Sequence, residues 1–426
     1  MSAELDREMS CHFKGLQRTV AAAVSQGRGQ IKVGKDPMPF DLYKQVAFAM
    51  LKSTSRDMIF ARTFMILSWN LMSRAANTVS ICYGHLEWRE DALCVYFAHM
   101  KNDQRGARPR DPRHVYANPV FPTVCPILAL GKFYQHLQYG FIADEHGIIA
   151  TLGVYWATYG ADNSDVHLFP GNDEYEPFRK VLGRTLKGAD VAAELERRGT
   201  AAEDIGTHSM RKGASTYCSS GSTACPPSVA VHLRAGRSMG GVQDRYLRHD
   251  AAGDMFVGRT VSGLPILQPE FASLPPRFSS ADSVVQTAKN LCFPGIPQNV
   301  QFVAEYALAS LVYHIDFLRQ HLSSDHPLFQ SPLFADAELF LQLQSRIKSG
   351  SNDDGLQPTG VPPHVKILSE IQSVRNELKE AAQIRRTDLQ NIRDSQNMMY
   401  DRLISGVTNI LEERAIQTGF PTSPER

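Results

Sequence analysis

From Pro39 the apolar positions fall on one helical face: Phe40, Leu42, Val46, Ala47 and Met50, then Ile59, Phe64, Leu67 and Leu71, a 3.6-residue period that predicts helix up to Arg74. Beyond it the period shortens. Leu86-Glu87-Trp88 and Leu93-Cys94-Val95-Tyr96-Phe97 are rich in β-branched and aromatic residues and flank the charged turn Arg89-Glu90-Asp91, which predicts strand, turn and strand. His114-Val115-Tyr116, ending at Asn118-Pro119, predicts a third short strand, and Lys101 falls in the connection before it. Pro126 opens an amphipathic helix through Leu128, Leu130, Phe133 and Leu137, with proline at the first helical position. After Ser209 comes a helix with Arg211 near its beginning, and Pro226-Pro227 opens another that reaches Leu233. Gly236, Gly240 and Gly241 break the run before Tyr246, and Gly258 to Pro275 reads as a loop leaving the domain.

The C-terminal third is organised differently. Val303, Ala307, Leu311, Ile315 and Leu318 predict a packed accessory helix over 302–322. The run Ser349 to Gly355, with Pro358, Pro362 and Pro363, has the composition of a flexible linker. Then Ile371, Val374, Leu378, Ala382, Arg385, Leu389, Ile392, Gln396, Met399, Leu403, Val407 and Ile410 recur at steps of three and four, an imperfect heptad seam interrupted by Arg385 and Gln396. This predicts a long helix that self-associates as a coiled coil, the alternative being a single helix folded back on the protein. The expected organisation is a lead-in at 1–38 or a truncated core-binding region, a catalytic domain at 39–270, and an accessory helical region at 271–348. A linker at 349–363, a long helix at 364–415 and a disordered tail at 416–426 complete it. The fold class is mainly α with a small antiparallel β-sheet (α+β).

Composition changes little in this picture. The 426 residues are 43% hydrophobic and 21% charged, ordinary for a soluble globular protein of two or three domains. A formal net charge of +1 gives no global basic signature, so a nucleic-acid surface needs local segregation of charge. Segregation is visible: Arg211, Lys212, Arg234, Arg237, Arg245 and Arg248 stand against a single acid, Asp244, between His208 and His249. Residues 101–113 carry Lys101, Arg105, Arg108, Arg110 and Arg113 against Asp103 and Asp111. Seven scattered cysteines without a C-x-x-C pair read as reduced, mostly buried thiols. Glu4, Asp6, Arg7 and Glu8 interrupt any secretory signal, and there is no run of eighteen apolar residues, so an intracellular protein with no membrane partner is expected.

The candidate chemistry lies in an ordered set: Arg74, Lys101, His208 and Arg211 of His208-Ser209-Met210-Arg211, Arg237, and Tyr246 nine positions later. Metal-free cleavage of a phosphodiester needs a nucleophile, cationic donors for the non-bridging oxygens and an acid for the leaving oxygen. A phenol suits the first role. Guanidinium, permanently charged and planar, suits the second. His208 is the side chain closest to titrating near neutral pH, flanked by Thr207 and Ser209, both helix-capping types.

The order and spacing over residues 39–265 resemble the tyrosine recombinase or phage-integrase family. The stretch Thr207-His208-Ser209-Met210-Arg211-Lys212-Gly213 and the run Gly-Gly-Val-Gln-Asp-Arg-Tyr ending at Tyr246 look most like its crypton-like eukaryotic mobile-element branch. The resemblance implies a site-specific recombinase or integrase acting on double-stranded DNA through a 3′-phosphotyrosyl intermediate on Tyr246. Arg74 and Arg211 would clamp the scissile phosphate, Lys101 would protonate the leaving oxygen, His208 would hydrogen-bond a non-bridging oxygen or accept the tyrosine proton, and Arg237 would donate to the phosphate, with no cofactor and no metal. Synapsis implies self-association through the catalytic domain and the C-terminal helix, and a DNA substrate implies a nuclear protein. Three departures accompany it. Arg237 stands where the family usually has His or Trp, Asn77 stands where a carboxylate usually follows the first arginine, and only about forty residues precede the catalytic region. Asn77 can orient Arg74 by a hydrogen bond but supplies no charge. The alternative function is a non-catalytic, domesticated DNA-binding protein that keeps the fold.

Overall fold

Helices Phe40–Lys52, Arg56–Asn70 and Thr207–Ser220 form the centre of the fold, held by aromatic side chains. Tyr43 stacks on Trp69 with ring centroids 4.1 Å apart, and Phe40 stacks on Tyr217 at 4.3 Å. The buried Trp69 indole donates to the Val261 carbonyl at 3.0 Å, so its one polar atom is satisfied. The computed structural model describes residues 3–26, 34–97, 111–131, 167–169, 175–237, 251–294, 296–350 and 355–418. They are mainly helical, with a three-stranded antiparallel sheet in the order β1 (Leu86–Arg89), β2 (Ala92–Val95), β3 (Arg113–Tyr116), and a two-stranded pair, Arg277–Phe278 with Ile347–Lys348.

The predicted hairpin is present, with Leu86 opposite Val95 and Arg89 opposite Ala92. Glu90 takes a positive φ of 50° in the turn between them. The first predicted helix is two. Ser53, extended at ψ 142°, ends one helix, and the second starts at Arg56 after its N-cap Ser55. The accessory helix is also two, Gln301–Tyr313 and Ile315–His321, which meet at His314.

Two expectations about loops are corrected. Gly258 does not open a loop: it lies inside the helix Ala251–Val261, which packs on β3. A Cβ there would come within 2.4 Å of the His114 carbonyl oxygen, so glycine lets helix and strand approach. Part of the expected linker is also held rather than loose. Asp91, fully buried, accepts from the Thr359 hydroxyl at 2.6 Å and the Thr359 amide at 3.2 Å, and Arg259 pairs with the same carboxylate while donating to the Thr359 carbonyl. The Asp91 charge needs those donors once it leaves water, and Thr359 supplies two of them.

The chain divides into two units, Met1–Pro362 and Pro363–Arg426. Within the first, the lead-in contains a 23-residue helix, Ala3–Ser25, with Leu5, Met9, Phe13, Leu16 and Val20 exposed. Within the second, the expected long helix runs unbroken over Pro363–Thr418. No described helix is long and apolar enough to cross a membrane.

Candidate phosphate-binding site

Arg74 follows a sharp turn. After the helix ending at Asn70, Met72 takes a left-handed φ of 47°, which turns the chain before Arg74 becomes the N-cap of Ala75–Val79. Arg74 is half-buried, and its guanidinium has no hydrogen-bond or ion-pair partner among the described residues. Asn77 does not orient it as expected. Their contact is backbone only, the Asn77 amide donating to the Arg74 carbonyl at 2.9 Å, because a residue at the third helical position faces its own N-cap carbonyl.

His208 and Arg211 are set by the start of Thr207–Ser220. The Gly206 amide donates to the Ser209 hydroxyl at 3.0 Å, closing the helix N-terminus. The Met38 amide donates to the Ser209 carbonyl at 2.9 Å and the Asp36 amide to the Asp204 carbonyl at 2.9 Å, so the strap 34–39 crosses the helix. Gly213 makes that crossing possible, since a Cβ there would lie 2.0 Å from the Met38 carbonyl oxygen. Arg211, half-buried, donates through Nη2 to the Ala235 carbonyl at the end of Ser228–Arg234. Burial pulls its pKa down to about 10, and the neighbouring charges of Arg74 and Arg237 add to the fall. Arg74 and Arg237, each from a separate segment, thus lie near enough to Arg211 to oppose its charge, and no acid contributes to the balance at Arg211.

A second layer of arginines holds this arrangement, and neither its membership nor its role was legible in the sequence. Arg234 is fully buried and donates to the Asn70 carbonyl at 2.8 Å, the His114 carbonyl at 2.8 Å and the Asp254 carboxylate. Asp254 also accepts from the His114 amide at 2.8 Å and contacts its ring Nδ1 at 2.9 Å. Arg113 donates to the Leu71 carbonyl at 2.6 Å and lies over the Phe97 ring at 4.9 Å. Its pKa falls to about 9 because it is buried, with Arg234 and Arg211 opposing its charge and Asp254 supporting it. Arg113 and Arg234 therefore fix the carbonyls around the turn that carries Arg74.

His208 and Arg237 open onto different cavities. Exposed His208 lines one of about 340 Å³ with Lys35, Tyr175, Arg179 and Lys187. Exposed Arg237 lines another of about 370 Å³ with Lys212, Thr216 and His232. Lys101 and Tyr246 lie outside the described residues. No three His, Cys, Asp or Glu side chains gather in a metal-holding cluster among the described residues. Five of the seven cysteines are buried, and Cys11 is exposed.

No protein-family model and no curated protein matches the chain. Two solved structures are similar to it. One is titled an FLP recombinase–Holliday junction complex, at 9% identity over 73% of this chain and 72% of that one, with a TM-score of 0.39. The other is a mutant Flpe–DNA Holliday junction complex, at 8% identity over 71% and 72%, also with a TM-score of 0.39. A score of 0.39 falls short of a shared fold, so the functional reading rests on the site residues themselves.

Proposed function

We propose that the protein is a metal-independent DNA breaking and rejoining enzyme, a site-specific recombinase or integrase of tyrosine-recombinase type from a crypton-like mobile element, acting on double-stranded DNA in the nucleus. The observation that carries the reading is the convergence of Arg74, Arg211 and Arg237 without a carboxylate at Arg211. Cations that repel one another in the free protein gain a common partner when a phosphate enters. Their donors would then hold the non-bridging oxygens as negative charge builds in the transition state. In this reading Tyr246 attacks phosphorus and forms the 3′-phosphotyrosyl bond, its phenolic proton passing to His208. The 5′-oxygen leaves with a proton from Lys101, and the reverse attack by a 5′-hydroxyl restores the DNA without ATP. Synapsis calls for self-association of the chain.

The test is a nicked suicide duplex that traps the covalent protein–DNA adduct. Tyr246→Phe should give none, because phenylalanine has no oxygen to attack with. Arg211→Lys should slow adduct formation by roughly 10²- to 10³-fold, the scale of one lost transition-state donor. Two observations favour a domesticated DNA-binding protein instead: Arg237 cannot act as an acid at neutral pH, and Arg74 lacks a side-chain partner that would orient it. That reading is chosen if neither the natural chain nor Arg237→His forms an adduct while both bind DNA. Adduct from Arg237→His alone would mark Arg237 as the disabling lesion.

A further inference from the structure

The helix Pro363–Thr418 carries its apolar seam exposed: Ile371, Val374, Leu378, Leu389, Ile392, Met399, Leu403, Val407 and Ile410 are each more than half accessible. Ala382, Arg385 and Gln396 complete the seam. From Ile371 to Ile410 the steps between seam positions run 3, 4, 4, 3, 4, 3, 4, 3, 4, 4, 3. The series is the same read backwards from Ile410. Such a seam satisfies the condition of a two-fold axis crossing the helix, where residue i meets j and j meets i. A partner of different sequence imposes no such symmetry; a second copy of this chain running antiparallel does.

We propose that the helix forms an antiparallel two-stranded coiled coil with a second copy of this chain, its axis passing between Gln390 and Asn391. Ile371 then meets Ile410 of the second copy, Val374 meets Val407, Leu378 meets Leu403 and Leu389 meets Ile392. The remaining layers agree with the spacing. Small Ala382 faces the long, adaptable Met399. The two polar interruptions meet each other, Arg385 donating to the Gln396 side-chain carbonyl. The helix ends coincide as well, Pro363 with Thr418, so the overlap is complete. The consecutive fours at 374–378–382 and 399–403–407 act as stutters that bring the seam close to the 3.6 period and leave a shallow supercoil. With roughly 60–120 Å² covered per apolar seam residue, the pair buries about 1,500 Å², a standard interface.

Parallel pairing is the rival orientation. It would bring Glu370 near Arg375 and Asp388 near Arg393 at the rim, but exposed ion pairs contribute little. It would also set Arg385 against Arg385 inside the seam, where neither charge has a counter-ion. The like pairs in the antiparallel form, Arg386 with Arg393 and Glu370 with Glu413, sit at the rim in water and are screened.

The experiment uses the full chain without DNA, so its outcome and that of the strand-cleavage assay are independent. In a Cys11→Ser background, which removes the exposed thiol, Leu378→Cys and Leu403→Cys are made separately. Sedimentation should give a dimer of the 47.4 kDa chain, and oxidation should link Leu378→Cys to Leu403→Cys in the annealed mixture but neither variant to itself. A spin label on Thr408→Cys, which leaves the seam intact, should read about 50 Å between copies from the helical rise. A monomer at tens of micromolar, self-linking of Leu378→Cys, or a label distance under about 20 Å would overturn the proposal.

Discussion

Among the arginines of the site, partner and burial separate two uses of one side chain. Arg234 ends on carbonyls and a carboxylate, whereas Arg74 has no partner among the described residues and adds to the charge opposing Arg211. Arg74→Met should therefore raise stability without DNA by about 1 kcal/mol while weakening DNA binding, the trade expected where a site holds like charges for a ligand. Urea unfolding and a binding titration check it together, and a loss of stability would mean that Arg74 is structural. Gly213 shows the opposite constraint. Gly213→Ala puts a methyl against the Met38 carbonyl and the Trp69 ring, and it should cost about 1–3 kcal/mol of unfolding free energy. Its strap fixes the start of the helix bearing His208 and Arg211, so the same variant should lower DNA affinity; unchanged melting would show that 34–39 does not lie across this helix.

At the scale of elements, the network of Arg234 and Asp254 joins the end of Arg56–Asn70, strand β3, Ser228–Arg234 and Ala251–Val261. Both side chains of the pair are fully buried. Removing one partner leaves the other's charge uncompensated, so Asp254→Asn should lower stability by about 3–5 kcal/mol. A loss under about 1 kcal/mol in urea unfolding would show that Arg234 finds other partners. The hairpin, a helix carrying Arg211 and the long tail helix followed from period and turn chemistry, both of them local signals; the Arg211 helix starts at Thr207, earlier than the expected start after Ser209. The break at His314 did not follow from them, because the apolar period Leu311, Ile315 and Leu318 runs on through it; the break at Ser53 lies in the polar run Lys52 to Asp57, which interrupts the period that resumes at Ile59.

For the whole molecule, a net charge of +1 means that the proposed DNA binding would rest on the local cation cluster and not on the average field. Binding should fall with salt at a log–log slope of roughly −3 to −5, as for a handful of phosphate contacts. Stability should also depend on pH through His314, which is buried with Nε2 unpartnered; burial pulls its pKa from 6.5 to about 4. The unfolded chain takes up this proton below pH 6.5 and the folded one only near 4. The His314 contribution is thus intact above 6.5 and is lost as pH falls toward 4, by about 3 kcal/mol in all. Comparing unfolding of the natural chain and His314→Leu at pH 7 and pH 4.5 isolates it; equal pH dependence in the two would show that His314 is accessible to water.

Sequence alone determined the hairpin and the third short strand, a helix bearing Arg211, the end of a helix near Arg74 and the apolar seam of the tail helix. Those depend on periods and caps that reside within a dozen neighbouring residues. Tertiary structure decided which arginines remain available. Arg113, Arg234 and Arg259 share a residue type with Arg74, Arg211 and Arg237, yet the first three are buried against carbonyls or carboxylates from elements far away in the chain. Thr359 likewise has the sequence context of a linker, yet its hydroxyl and amide serve the carboxylate of Asp91, 268 residues away. A charge is spent or free according to the partner that folding brings to it, and that partner is written nowhere near it in the sequence.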